Sequence, residues 1–231
     1  MSKRLKKEYL YLIEQLKHHI QNEINWGIDY IFLSQKYNIQ KSSSLASSSY
    51  DSLKKLNERI ETCQKCEIGK ERTNLVFGSG NTQAELVFIG EAPGKDEDIA
   101  GEPFVGKAGK LLGKMIKAID LDREDVYIAN VLKCRPTQNR APKKNEIINC
   151  KPYLLEQLEI IHPKVICTLG TFASQSLLNT KDSISQIRGK VYKFKNIKLI
   201  PTFHPAYLLR SPNFKKEAWD DLQLIKMELE I

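Results

Sequence analysis

Residues 85–94, Glu85-Leu-Val-Phe-Ile-Gly-Glu-Ala-Pro-Gly94, pass from four consecutive apolar side chains straight into a turn of Gly, Ala and Pro. An unbroken apolar run of this length fits a strand buried on both faces, and the Gly and Pro residues punctuate its end. Three further runs share the pattern: Asp125-Val-Tyr-Ile-Ala-Asn130, Lys164-Val-Ile-Cys-Thr-Leu169 and Lys198-Leu-Ile-Pro-Thr202. Between the first three lie segments of helical period, around residues 111–119 and 147–161. Strands alternating with helices imply an α/β fold with a parallel sheet covered on both faces. In such folds ligands sit beyond the carboxyl ends of the strands. That places interest on Gly90-Glu-Ala-Pro-Gly94, Asn130, Gly170 and Thr202-Phe-His-Pro205.

The chain has 231 residues, 41% hydrophobic and 28% charged, enough apolar content for one full core. No apolar run approaches the roughly 20 residues that span a bilayer, and Met1-Ser-Lys-Arg-Leu-Lys-Lys7 lacks the features of a secretory signal. A cytoplasmic protein without membrane contact is expected. Residues 5–24 carry Leu5, Tyr9, Leu12, Ile13, Leu16, Ile20 and Ile24 at helical spacing, and residues 41–50 form a serine-rich tether. The expected organisation is therefore an amphipathic extension over 1–50, with no partner named by its pattern, and a compact domain over 51–231. The formal charge of +8 favours a polyanionic partner. Eight basic and no acidic residues lie between Arg188 and Lys216, and six basic against Glu146 between Lys133 and Lys151, which suggests a phosphate-tracking rim.

Five cysteines are spaced unevenly. Cys63 and Cys66 form a tight pair, whereas Cys134 and Cys150 lie far downstream and apart, unlike the paired knuckles of a four-cysteine zinc site. Spacing favours a 4Fe-4S cluster over zinc without deciding between them. Cys167, inside an apolar run, reads as a buried small hydrophobe.

Taken in order, Gly90-Glu-Ala-Pro-Gly94, Glu97-Asp98, Pro103-Phe-Val-Gly106, Tyr127-Ile-Ala-Asn-Val131, Lys133-Cys-Arg-Pro136, Asn139-Arg140 and His204-Pro-Ala-Tyr-Leu-Leu-Arg210 resemble the iron-sulfur family 4 uracil-DNA glycosylases, from about Cys63 to the C-terminus. The resemblance implies a three-layer α/β/α sandwich with a four-stranded parallel sheet. It implies a 4Fe-4S cluster on Cys63, Cys66, Cys134 and Cys150, and a monomer acting on uracil-containing DNA, double- or single-stranded. The expected reaction is monofunctional: hydrolysis of the N-glycosidic bond of a flipped uracil, leaving an abasic site, with no motif-placed lysine for a Schiff base.

By the same resemblance Asn130 reads the uracil edge, since an amide both donates and accepts. Phe104 stacks on the base, His204 donates to the developing anion at O2, and the backbone of Gly90, Glu91 and Ala92 lines the pocket. Ala92 stands where better-known uracil glycosylases carry an Asp that handles water, which leaves the base open: Glu91 is a candidate carboxylate, and substrate electrostatics without a base is the alternative. Glu97 is either a gate at uracil C5 or a solvated helix-start carboxylate. Leu208 is a candidate apolar wedge for the emptied stack, beside Arg210 as a phosphate-binding cation; the alternative is that Leu208 packs inward. From the residues alone, a non-enzymatic nucleic-acid-binding module held by zinc stays open. A phosphate-cradling nucleotide enzyme lacks a Walker or Rossmann fingerprint.

Overall fold

The computed structural model describes residues 49–230. The helix expected over residues 5–24 lies outside them, as does most of the tether. Ser49 and Tyr50, the end of that tether, instead open α1 (Ser49–Ile60). Its Leu53, Leu56 and Ile60 recur at three- and four-residue steps and are all buried.

The four anticipated strands are present as β2 (Leu86–Gly90), β3 (Tyr127–Asn130), β4 (Val165–Leu169) and β6 (Ile197–Thr202), mutually parallel in the order β3-β2-β4-β6. Two short antiparallel strands that the apolar runs do not announce, β1 (Ser79–Gly80) and β5 (Tyr192–Phe194), extend the edges to six. Alternation sorts the strand side chains between two cores. Phe88, Ile128, Cys167 and Ile200 face α4 (Lys107–Lys117), α8 (Pro205–Arg210) and α9 (Lys215–Leu229). Val87, Ile89, Ala129 and Ile166 face α1, α5 (Lys144–Ile161) and α6 (Thr171–Leu178). Every residue of β2, β3 and β4 is buried, which is why these strands read as unbroken apolar runs. No helix among the described residues is long and apolar enough to cross a membrane.

From β2 the chain goes to β3 on one side, then crosses to β4 on the other. The carboxyl end of β2 is thus a switch point, where loops diverge and leave a crevice. Gly90 ends β2 there, in register with Asn130 at the end of β3.

Candidate active site and metal centre

Asn130 is only 2% exposed, and its Oδ1 has no hydrogen-bond partner among the described residues. A buried amide oxygen left unpaired costs free energy unless a ligand supplies the donor. Directly beside it, a Cβ on Gly90 would come within 2.3 Å of Asn130 Oδ1 and 2.7 Å of Phe104 Cζ. Glycine is required here for space: any side chain would fill the point where amide and ring converge.

Phe104 sits in the loop before α4 with φ of 55°, a left-handed conformation that a bulky residue adopts only when its surroundings enforce it. The surroundings do so from both sides. Arg123 donates from Nη1 to Phe104 O at 3.2 Å and from Nη2 to Pro103 O. Glu97, in α3 (Lys95–Ala100), accepts the N–H groups of Val105 and Gly106, each at 3.0 Å, and that of Gly94 at 3.1 Å. Its carboxylate therefore ties the Gly90–Gly94 turn to the Phe104 loop and is engaged by three backbone donors. The fully solvated reading does not describe this residue. Gly109 completes the seat, since a Cβ there would lie 1.7 Å from Phe104 O.

His204 follows β6 and caps α8, its Nδ1 accepting the Ala206 N–H at 3.1 Å. With Nδ1 occupied as an acceptor, the neutral ring carries its proton on Nε2. Burial, reinforced by the nearby Arg210 cation and opposed by Glu97, pushes the His204 pKa down to about 4. The ring is thus a neutral donor, with its centroid 5.6 Å from that of Phe104. Glu91 is half-buried after β2, and burial lifts its carboxyl to about 7. Ala92 packs against the cysteine cluster, so the pocket turn and the cysteines share a wall.

Cys63, Cys66, Cys134 and Cys150 line one recess with Arg72, Lys133 and Tyr153. They come from the turn after α1, the start of α2 (Glu67–Glu71), the loop after β3 and the inner face of α5. Gly69 lets that turn close, because a Cβ there would lie 2.8 Å from Cys63 O. Arg72 Nη1 donates to Cys134 Sγ at 3.1 Å, the Lys133 N–H donates to Cys150 Sγ at 3.1 Å, and the Tyr153 hydroxyl lies 3.5 Å from Cys63 Sγ. Burial pushes the Cys150 thiol up to about 12, opposed by the neighbouring Lys133 cation and its backbone N–H. Cys167 lies apart, fully buried in β4.

Gly90, Asn130 and His204 therefore stand at the carboxyl ends of β2, β3 and β6, Phe104 reaches Gly90 and His204 from the loop before α4, and Glu91 follows Gly90 in the chain. Leu208 does not join them. It is 1% exposed and packs in the core beneath α8, so the wedge expectation for it is corrected; Leu209, 46% exposed, faces outward beside exposed Arg210. Of the basic rim, Arg188 pairs with buried Asp221, Lys195 with Glu159 and Lys198 with Glu228, while Lys190, Lys193, Arg210, Lys215 and Lys216 are exposed.

Two residues brace the site in ways the sequence does not announce, Arg123 with no expected role and Lys133 expected as a rim cation. Arg123 holds the Phe104 loop, and Lys133 is a fully buried cation whose Nζ donates to Asn130 O at 2.9 Å and to Gln157 Oε1 at 2.6 Å. Both look like surface cations in the sequence, and no local pattern distinguishes them.

Residues 77–223 match the Uracil DNA glycosylase superfamily. The chain is 49% identical over 183 residues to the type-4 uracil-DNA glycosylase of Archaeoglobus fulgidus, covering 76% of this chain and 92% of that protein. It is 46% identical over 185 residues to the one from Sulfurisphaera tokodaii, covering 76% and 84% respectively. With that of Thermotoga maritima it shares 43% over 175 residues, 74% of this chain and 91% of the relative. A buried unpaired amide oxygen, an aromatic ring and a neutral histidine at one sheet switch point thus coincide with likeness along most of the chain: it belongs to the type-4 uracil-DNA glycosylases, which hydrolyse the N-glycosidic bond of uracil in DNA repair.

Proposed function

We propose that the pocket recognises extruded uracil through Asn130 and Phe104 and stabilises its departure through His204. The observation that carries this is the buried, unpartnered Oδ1 of Asn130 beside the Gly90 cradle. Uracil N3–H is the donor that this oxygen lacks, and the amide N–H groups of Asn130 are suited to uracil O4. Phe104, held in its loop by Arg123 and Glu97, offers a ring face for stacking. As the glycosidic bond lengthens, negative charge grows on uracil O2. A neutral Nε2–H donor stabilises that charge without a prior proton transfer. The attacking water must reach the sugar carbon as it becomes cation-like, and Glu91 is the carboxylate assigned to orient and deprotonate it. The backbone of Gly90, Glu91 and Ala92 forms the pocket floor, with Ala92 backed by the cysteines.

The four cysteines are assigned a 4Fe-4S cluster. Among the described residues no three His, Cys, Asp or Glu side chains gather at a position for one metal ion. A cubane suits thiols on four separate backbone segments better than zinc does, because each iron takes its own thiolate. Arg72 and buried Lys133 supply positive charge beside thiolates that would otherwise be costly to bury. When bound, the cluster is a structural crosslink among the α1–α2 turn, the β3 loop and α5. Lys133 joins that crosslink to the backbone of Asn130, so the base reader is braced from the metal side.

Leu209 takes the wedge role, with Arg210 at the pocket mouth. The enzyme is read as a cytoplasmic monomer accepting uracil in double- or single-stranded DNA. Asn130→Ala and His204→Ala test the assignment. Each is expected to lower single-turnover cleavage by about 10²-fold or more while binding to abasic DNA survives. Equal losses in cleavage and abasic binding would reject the two roles.

A further inference from the structure

Part of the basic runs near the strand ends is consumed within the domain. Lys133 is buried, and Arg140, Arg188, Lys195 and Lys198 are each paired with a carboxylate. Besides Arg210, a run of exposed positive charge lies on α4, whose sequence Lys107-Ala-Gly-Lys-Leu-Leu-Gly-Lys-Met-Ile-Lys117 contains no acidic residue. Lys107, Lys110, Lys114 and Lys117 follow three- and four-residue steps, so they share one face, and all are exposed. The orientation of that face is fixed by Leu112, Met115 and Ile116, which are buried in the core on the opposite side. Lys117 pairs with Asp122; Lys107, Lys110 and Lys114 have no ion pair among the described residues.

This arrangement works against the helix that bears it. Like charges at these spacings repel, and cations in the first turn oppose the helix dipole. A solvated helix face ordinarily mixes signs and puts carboxylates in its first turn; α4 carries none of its own, and the carboxylate at its start is Glu97 of α3, which accepts the Gly106 N–H. The stripe also has a defined origin. It begins three residues after Phe104, and Gly109 lies against the Phe104 backbone, so the helix is seated on the loop that carries the pocket ring. The helix α8, which carries Arg210, packs against α4. From Lys107 to Lys114 the helix rises about 10 Å, close to three nucleotide steps of a B-form strand.

We propose that Lys107, Lys110 and Lys114 form a backbone track that holds the phosphates of DNA on one side of the flipped nucleotide, for about three nucleotides and without reading bases. The proposal rests on the uracil pocket assigned above, and it deepens that assignment by stating how the enzyme grips the strand next to it.

The test uses the full chain with Lys107→Gln, Lys110→Gln and Lys114→Gln combined, and Lys193→Gln on exposed β5 as a charge control. Binding is measured by anisotropy on oligonucleotides that carry an abasic analogue and flanks of increasing length on either side. Wild-type affinity is expected to rise over about three added nucleotides on one side only, and the triple variant is expected to lose that gain, about tenfold at ~0.1 M salt. The slope of log K against log salt should fall by about 2 on single strands, from three lost contacts. Cleavage of the shortest uracil oligonucleotide should be unchanged. The track is overturned by an unaltered length dependence and salt slope, by an equal loss in Lys193→Gln, or by slowed cleavage of the shortest substrate. Failure of wild type to release uracil would reject the pocket, while the length dependence of binding would still report on the track.

Discussion

Glu91 and His204 titrate far apart, so pH separates their roles. Burial lifts Glu91 to about 7, whereas His204 is pushed down to about 4. A base must be ionised, so a role for Glu91 in activating water makes cleavage fall as pH drops through 7. Its ionised fraction is about 9% at pH 6 and about 91% at pH 8, and single-turnover cleavage should rise about tenfold across that interval. His204 is already about 99% neutral at pH 6 and adds no slope. An ordinary carboxylate would change by about 3% over the same range. The assay is single-turnover excision with saturating enzyme from pH 5.5 to 8.5, for wild type and Glu91→Gln. The variant should be slower at pH 8 and nearly flat. A stability control follows from the same lift. A carboxyl whose folded pKa is raised stabilises the fold below its unfolded pKa, and that stability is lost as pH rises toward 7. Glu91→Gln should therefore keep or raise the melting temperature at pH 8. A flat wild-type profile, or a tenfold rise that survives in Glu91→Gln, would refute Glu91 as the base.

Leu208→Ala should cost about 2–5 kcal/mol of stability as a core truncation and slow both DNA forms alike, whereas Leu209→Ala should keep the melting temperature and slow duplex more than single-stranded uracil; thermal melts with paired cleavage assays decide this. Anaerobically purified protein should be brown with absorption near roughly 400 nm; Cys150→Ala should lose the colour and stability, and Cys167→Ala should keep the colour. Colourless protein with stoichiometric zinc would contradict the cluster. Glu97→Gln forfeits at least one of three loop hydrogen bonds and should lower uracil excision roughly tenfold with thymine still rejected. Excision of thymine by that variant would return Glu97 to the C5 position.

The parallel core was legible because β2, β3 and β4 are buried on both faces, and such strands can only be apolar throughout. The edges were not. Ser79–Gly80 has two residues, and Tyr192–Phe194 alternates with lysine among other charged neighbours. The ends of the strands pointed to Gly90, Asn130 and His204 before any likeness to known proteins was invoked. What holds those residues was hidden, since Arg123, Lys133 and Glu97 act through bonds to backbone atoms distant in sequence. A buried lysine or clamping carboxylate has the same local pattern as a solvated one. Leu208 and Leu209 were ambiguous for a related reason: α8 has six residues, too few for its period to say which leucine faces inward.

The most direct measurement quantifies the base released from matched duplexes containing one U:G, U:A or T:G pair, together with the integrity of the strand afterwards. Free uracil should appear in a one-to-one ratio with abasic sites from U:G and U:A, the backbone should remain intact until treated with alkali, and no thymine should be released. Absence of free uracil, or strand breakage that accompanies release without alkali, would contradict hydrolytic excision at the Asn130–Phe104–His204 pocket.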